Sequence, residues 1–198
     1  TRPEIRCPEA QFFECDVDTT LFAWPTAKDD CDPEPRVELV LYSKDRIGEC
    51  SYVLVRAWHA VDECGNYSDT CRQIITVGDT TKPVIECPPD TVVDCSELDR
   101  NGGDGKALLT SFANGTATKN TAGCYEYDFR YGKPTAKDNC DDSLTLCLWG
   151  VYPIQLDSCV AQFGLVFVAV DDCGNISDTC GQIVTFTDTT APVLICAP

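Results

Sequence analysis

The amino-acid sequence predicts an all-β protein that consists of two tandem, disulfide-rich β-sandwiches. The first observation is internal repetition: the segment 60–71, Ala-Val-Asp-Glu-Cys-Gly-Asn-Tyr-Ser-Asp-Thr-Cys, returns almost unchanged at 169–180. The second is a content of 15 cysteines in 198 residues, close to the level of a disulfide scaffold. The third is a series of short runs rich in β-branched and aromatic residues, separated by turn signals, which is typical of a β-sandwich.

The cysteine spacing indicates that the chain is a duplication. From Cys7 to Cys71 the successive intervals are 8, 16, 19, 14 and 7 residues. From Cys87 to Cys180 they are 8, 45, 19, 14 and 7 when Cys124 and Cys147, which have no counterpart in the first repeat, are set aside. One interval therefore differs, by 29 residues (45 minus 16), and all the others agree. This regularity indicates one structural unit per repeat, with an insertion in the second.

These spacings predict the domain boundaries. We expect the first sandwich to span residues 1–79 and the second 80–189, with the 29-residue insertion within 96–133. Residues 190–198 repeat the opening of a sandwich, so we interpret them either as the opening strand of a third repeat or as a tail that docks on a neighbouring subunit. Because the chain starts within a motif, we expect a processed form or part of a longer protein.

Six runs of residues carry the strand pattern of β-branched and aromatic side chains. They are residues 37–42, 51–58 and 73–77 in the first repeat and 144–152, 163–170 and 182–186 in the second. We expect tight turns at the Cys-Gly-Asn segments 64–66 and 173–175, because Gly and Asn tolerate a positive φ. Trp24 and Trp149 have no aromatic counterpart in the other repeat, so each could lie in the core, at an interface or against a glycan, and we prefer the core.

Composition disfavours several classes of partner and indicates an extracellular location. The net charge of −17 disfavours nucleic acid, because phosphate binding needs Lys and Arg. A single histidine and the absence of closely spaced cysteine pairs argue against a zinc protein. No run approaches the ~20 apolar residues of a membrane span. The cysteine content indicates an oxidising compartment, so we expect a secreted or surface-displayed protein.

No group of residues suggests catalysis. The sequence has no Ser/His/Asp signature, phosphate-binding glycine loop or metal-binding helix, so we expect no catalytic residues and no cofactor. Ca²⁺ is a minor alternative, with carboxylates that recur around the turns and the linker as ligands. These carboxylates are Asp62, Asp79, Asp171 and Asp188, for which we prefer turn and capping roles.

Three Asn-x-Ser/Thr sequons are candidates for N-glycosylation, at Asn66, Asn114 and Asn175. Asn114 lies in the insertion, whose Gly/Asn/Thr-rich composition indicates a loop, and is the preferred site. Asn66 and Asn175 follow a glycine in the predicted turns, where the asparagine is needed for the chain reversal. Both roles therefore stay open at these two positions.

The repeated motifs resemble those of the hyalin repeat family. Repeats of that family contain Asp-Thr-Thr-x-Pro-x-Ile-x-Cys-Pro, then Pro-x-Ala-x-Asp-Asn, then Ala-x-Asp-x-x-Gly-Asn before the last strand. The corresponding residues of this chain are 79–88, 134–139, 60–66 and 169–175. The resemblance covers both repeats and implies immunoglobulin-like sandwiches in an extracellular protein that adheres or builds structure, without catalytic residues. The chain departs from the family in its higher cysteine content and its insertion.

The topology implied by this resemblance suggests how the cysteines pair. The first strand of each sandwich would be joined to its last strand, and further bridges would close the two ends. The expected bridges are Cys7–Cys71 and Cys87–Cys180, then Cys31–Cys64 and Cys140–Cys173, then Cys15–Cys50 and Cys95–Cys159. Because six cysteines per repeat allow many pairings, a Cys64–Cys71 bridge across the hairpin stays an alternative.

Three cysteines fall outside this scheme. Cys124 and Cys147 are the unmatched cysteines of the second repeat, so we expect them to bond with each other. Cys196 corresponds to Cys7 and Cys87 and is left unpaired or available for an intermolecular bond.

Together these observations predict an extracellular structural repeat protein. It would form or belong to a disulfide-stabilised, glycosylated surface fibre whose subunits, copies of itself, join head to tail. The alternative is an adhesin or binding module that recognises carbohydrate or a cell-surface protein, through the insertion within 96–133. An enzyme is the least favoured class.

Overall fold

A computed structural model describes residues 1–94, 118–121, 123–125, 127–156 and 160–194. The chain divides into two compact units, Thr1–Thr81 and Lys82–Pro198, called unit 1 and unit 2 below. This division lies two residues after the boundary that the spacing predicts. Among the described residues, no helix has the length and apolar character needed to cross a membrane.

Unit 1 contains six strands and one short 3₁₀ helix, Thr19–Leu21. The strands are β1 (Glu4–Arg6), β2 (Gln11–Glu14), β3 (Thr26–Lys28), β4 (Arg36–Arg46), β5 (Ser51–Val61) and β6 (Cys71–Gly78).

Unit 2 repeats this order of strands in its described part. The strands are β7 (Val84–Glu86), β8 (Thr91–Asp94), β9 (Thr135–Lys137), β10 (Thr145–Leu156), β11 (Val160–Val170) and β12 (Cys180–Thr187). The six runs with the strand pattern all fall on long strands, while the short strands β2, β3, β8 and β9 lie outside them.

Each unit has one four-stranded and one two-stranded sheet. The large sheets have the orders β2-β6-β5-β4 and β8-β12-β11-β10, and the small sheets are the antiparallel pairs β1-β3 and β7-β9. In each large sheet an early strand runs parallel to the last strand, β2 beside β6 and β8 beside β12. Parallel neighbours need a crossover, which the chain makes through the small sheet. The all-β architecture of two tandem, disulfide-rich immunoglobulin-like sandwiches is therefore confirmed.

The hydrophobic cores are small, and unit 2 has the larger one. In unit 1 the described core cluster consists of Phe22, Leu54, Ile75 and Val77. In unit 2 it consists of Val93, Leu148, Val151, Phe163, Leu165, Phe167, Val184 and Phe186. Unit 1 buries further apolar side chains outside this cluster, with Trp58 the largest of them.

Arg56 occupies the core of unit 1 at the position of Leu165 in unit 2. The side chain is buried, and its Nη2 donates to Ala23 O at 2.8 Å and to Gln73 Oε1 at 2.6 Å. The guanidinium also lies over the rings of Phe22, Trp24 and Trp58. Burial lowers the pKa of Arg56. The ring contacts and the two acceptors offset the cost of burying this charge.

Trp24 covers Arg56 from outside, and the prediction that it is a core residue is wrong. Its ring centroid lies 6.3 Å from that of Trp58, and the residue is 68% exposed. Trp24 lies in the loop before β3, which places it at the rim of the core.

A buried glutamine connects the last strand of each unit to the opposing loop. Gln73 Nε2 donates to Glu9 O and to Gln11 Oε1, both at 3.0 Å. Its counterpart Gln182 donates to Pro89 O at 2.8 Å and to Tyr131 O at 2.7 Å. Gln182 Oε1 has no partner among the described residues, because leucine replaces the arginine that Gln73 Oε1 accepts from.

We expect Gln73→Leu to destabilise unit 1 more than Gln182→Leu destabilises unit 2. Both substitutions remove the donor to carbonyl groups of the opposing loop, and only Gln73→Leu also removes an acceptor from a buried guanidinium, which costs about 1–3 kcal/mol more. Calorimetry of the two variants, with hydrogen exchange assigning each transition to a unit, measures the difference. Equal shifts would contradict the role given to the Arg56–Gln73 contact.

Candidate functional site

One disulfide in each unit joins the segment after the first strand to the start of the last strand. Cys7 is bonded to Cys71 with a Cα–Cα distance of 5.4 Å, and Cys87 to Cys180 with 5.5 Å. Both pairings are those that the hyalin-repeat resemblance implies, and they exclude a Cys64–Cys71 bridge. The bridges fix the small β1-β3 and β7-β9 sheets to the end of the large sheets.

A third disulfide fastens the insertion to β10. Cys124 is bonded to Cys147, and the N–H of Tyr125 donates to Leu148 O at 2.9 Å. Both cysteines are buried and form a cluster with Val168, on which Trp149 packs. The two unmatched cysteines of the second repeat therefore bond with each other, and the described end of the insertion covers the edge of the large sheet.

Four more cysteines are disulfide-bonded: Cys15, Cys50, Cys140 and Cys173. The predicted pairs Cys15–Cys50 and Cys140–Cys173 are therefore drawn from bonded cysteines, and the pairings themselves stay predictions. Cys95, Cys159 and Cys196 lie outside the described residues, so the Cys95–Cys159 bridge and the free or intermolecular Cys196 stay predictions.

The predicted Cys31–Cys64 bridge is absent from the structure, where both thiols are free and exposed. The loop around Cys31 is folded by Asp29, whose Oδ1 accepts from the N–H of Cys31 at 2.8 Å. The Cys31 thiol lies 3.8 Å from the hydroxyl of Thr1, which itself donates to the Asp29 carboxylate. A disulfide needs both sulfur atoms directed at each other, and here the Cys31 sulfur lies beside Thr1 instead.

A network of hydrogen bonds builds the same turn in both units. In unit 1 the Asp62 carboxylate accepts from the N–H of Asn66 at 2.8 Å and from its Nδ2 at 2.7 Å. The counterparts Asp171 and Asn175 make the same bonds at 2.7 and 2.8 Å. These donors lower the pKa of Asp62, the Asn66 side chain most strongly.

Glycine at the centre of each turn supplies the backbone conformation. Gly65 has a φ of 84° and Gly174 a φ of 86°, in the left-handed region that favours glycine. The repeated Gly-Asn pair therefore has a structural role in each turn.

The four Ca²⁺ candidates all have turn roles. Asp62 and Asp171 accept from the asparagines of their own turns, as described above. Asp79 Oδ1 accepts from the N–H of Thr81 at 3.1 Å, and Asp188 Oδ1 from that of Thr190 at 2.9 Å. Each carboxylate thus has a backbone donor directed at one of its oxygen atoms, which suits the turn and capping roles that we prefer.

Two sequons are built into the turns. The Nδ2 of Asn66 and of Asn175, the atom that would carry a glycan, donates to the aspartate of its turn. The hydroxyl of Ser68 is buried and accepts from the N–H of Ala60 at 2.8 Å. These contacts favour the turn role over glycan attachment at Asn66 and Asn175. Asn114 lies outside the described residues, so its glycosylation stays a prediction.

A second repeated contact, which we call the latch, holds the chain as it leaves each unit. At the end of β2, Glu14 accepts from the N–H of Thr80 at 3.0 Å and from its hydroxyl. At the end of β8, Asp94 accepts from the N–H of Thr189 at 3.1 Å and from its hydroxyl. Sequence analysis missed this pair. The sequence contains a pattern that could have indicated it, because an acidic residue, Glu14 or Asp94, directly precedes the second cysteine of each repeat.

Comparison with known proteins does not assign a family. Neither a protein-family model nor a curated protein sequence matches the chain. Among solved structures the chain is similar to Drosophila N-cadherin EC1-4, with 12% sequence identity and a TM-score of 0.37. The match covers 96% of this chain and 50% of the cadherin chain, so this chain spans about half the length of that structure. The resemblance to the hyalin repeat therefore rests on the motifs alone.

We expect acid to release the latch of unit 1. The Thr80 hydroxyl and N–H lower the pKa of Glu14, so the carboxylate stabilises the folded state above its ordinary pKa. That contribution is lost as the pH falls through the lowered pKa. Hydrogen exchange at Thr80, measured from about pH 5 to about pH 2.5, checks this.

Glu14→Gln is the control for this measurement, because glutamine accepts hydrogen bonds without a titrating charge. The variant should show weaker protection of Thr80 at pH 5 and no further loss on acidification. Protection of Thr80 in the unmodified protein that stays constant down to pH 2.5 would contradict a contribution from the Glu14 carboxylate.

Proposed function

We propose that the protein is an extracellular structural repeat protein that forms or belongs to a disulfide-stabilised, glycosylated surface fibre. In this proposal the subunits join head to tail through residues 190–198. The protein is secreted or displayed on a cell surface, and it needs no catalytic residue and no cofactor.

The observation that carries the proposal is the segment after β12. Val193 is 85% and Leu194 is 88% exposed, in a stretch that repeats the opening of β7, Val84–Glu86. In unit 2 that opening strand pairs with β9. Residues 190–194 have no strand partner among the described residues. An apolar segment with the sequence of a strand and no sheet to join tends to pair with another chain.

The latch supports this interpretation because it fixes where the segment begins. Thr189 is held by Asp94 and Thr190 by Asp188, as Thr80 is held by Glu14 and Thr81 by Asp79. The chain therefore leaves unit 2 under the same restraints with which it leaves unit 1. After unit 1 these restraints precede the opening strand β7. Residues 190–198 follow the same restraints and have the sequence of an opening strand, which supports a role as a strand.

The disulfides supply the mechanical function. A bridge between the first and last strands prevents a pulling force or a protease from separating the small sheet from the large one. The net charge of −17 provides repulsion between neighbouring fibres and keeps them dispersed.

The second candidate is a binding module for carbohydrate or a cell-surface protein. Its support is the exposed ring of Trp24 in unit 1, since amphipathic aromatic side chains are enriched in binding surfaces. The insertion, which sequence analysis favoured for this role, is described only at its end, where it packs on β10.

We expect electron microscopy of native, non-reduced material to show regular filaments with an axial repeat of one two-domain unit. Leu194→Asp should shorten or abolish the filaments, because a charge opposes burial of the segment. Asp substituted for Ile154, an exposed residue of β10 outside the segment, is the control and should leave them intact. Isolated short rods in the native material would favour the binding module, and a glycan-binding screen would then test Trp24→Ala.

A further inference from the structure

We propose that the outer edge of β4 in unit 1 is the acceptor site for residues 190–198 of a second copy of this chain. The inference rests on the proposed head-to-tail assembly and names the surface that receives the segment. The added segment would extend the large sheet of unit 1 by one strand.

β4 is a long edge strand with an apolar exposed stretch. It pairs with β5 along nearly its whole length, and no described residue pairs with its other edge. Four consecutive large apolar residues are exposed on it: Leu39, Val40, Leu41 and Tyr42. An edge strand of this length and character offers a row of backbone donors and acceptors to another strand.

The corresponding edge of unit 2 is covered by the insertion, and the edge of unit 1 has no such cover. Leu148 of β10 is the counterpart of Leu39, yet Leu148 is 1% exposed and Leu39 is 52% exposed. The insertion causes this difference, because Tyr125 forms a backbone bridge with Leu148 and Cys124 is bonded to Cys147. Unit 1 has no insertion, and Glu38 stands in place of Cys147. The same edge is therefore closed within the chain in one repeat and open in the other.

The shared irregularity of the two edge strands supports the comparison. The pairing of β4 with β5 shifts register between Leu39 and Leu41, and that of β10 with β11 between Leu148 and Gly150. These positions correspond in the repeat alignment. The backbone of β4 thus has the same bulge beside which the insertion binds in unit 2.

A second copy is the occupant that the observations favour, because each chain carries both an open edge and an apolar strand sequence whose described residues, 190–194, have no strand partner in the described part of the chain. After Asp188 the segment has no charged residue, so it adds no repulsion in an acidic protein. β4 carries three basic residues, Arg36, Lys44 and Arg46, two of them at the end that leads into the hairpin. A contact between the tail of one copy and unit 1 of the next does not close on itself and therefore produces a filament.

The test uses two full-length variants that each remove one half of the contact. Leu41→Lys places a charge on the acceptor edge at an exposed position, and Leu194→Asp disables the donor. Each variant alone should be monomeric in sedimentation velocity and native mass spectrometry. An equimolar mixture should form a 1:1 dimer and stop there, because only one productive contact is possible. Tyr152→Lys, an equally accessible position on β10, is the matched control and should assemble like the unmodified protein.

A peptide measurement separates failure of the site from failure of the proposed function. A fluorescent peptide of residues 188–198 with Cys196 replaced by serine is titrated against the Leu194→Asp protein, whose edge is open. We expect saturable binding, weakened at least tenfold by adding Leu41→Lys. If the unmodified protein forms no filaments while the peptide binds β4 in this way, the fibre is wrong and the acceptor site stands.

Two results overturn the acceptor site itself. One is filament formation by Leu41→Lys equal to that of the Tyr152→Lys control, which would place the contact elsewhere. The other is a peptide titration in which Leu41→Lys leaves binding unchanged or the Leu194→Asp protein does not bind at all. An absence of binding would also indicate that residues 190–198 belong to a following repeat of the same chain.

Discussion

The bond between Cys7 and Cys71, with its counterpart between Cys87 and Cys180, is the constraint on which the rest of each unit depends. The small sheets that it secures have strands of only three residues, too short to persist alone. Closing loops of 64 and 93 residues stabilises the folded state by about 4–5 kcal/mol in the chain-entropy account.

Two polar devices then fix the path of the chain. The Asp62–Asn66 network and its copy in unit 2 reverse the chain before the last strand, and the latch holds the chain after that strand. Both devices use carboxylates that accept from backbone N–H groups, which accounts for part of the acidic composition. The unit therefore presents its following segment from a defined point, which a repeating extracellular fibre requires.

The repeated sequence predicted the two sandwiches and their long strands. It did not predict the burial of Arg56, the exposure of Trp24 or the free thiols of Cys31 and Cys64. Cysteine spacing and β-branched runs located the two sandwiches and the long strands, because burial of alternating side chains leaves a strong pattern. Arg56 was missed, since its burial depends on ring contacts from a distant loop. The prediction that Trp24 lies in the core was wrong for the same reason, because its contact with Arg56 joins two parts of the chain that are distant in sequence. The Cys31–Cys64 pairing followed from the topology that the family resemblance implies, which places the two loops at the same end but does not fix the position of the Cys31 sulfur beside Thr1.

Thermal unfolding with and without a strong reductant tests the central claim most directly. If the bridges supply stability that the small cores cannot, full reduction should lower the melting temperature by more than about 10 °C, since each kcal/mol shifts a unit of this size by about 4–8 °C. Unit 1 should lose its structure first. An unchanged melting temperature after complete reduction, verified by thiol counting, would contradict the account.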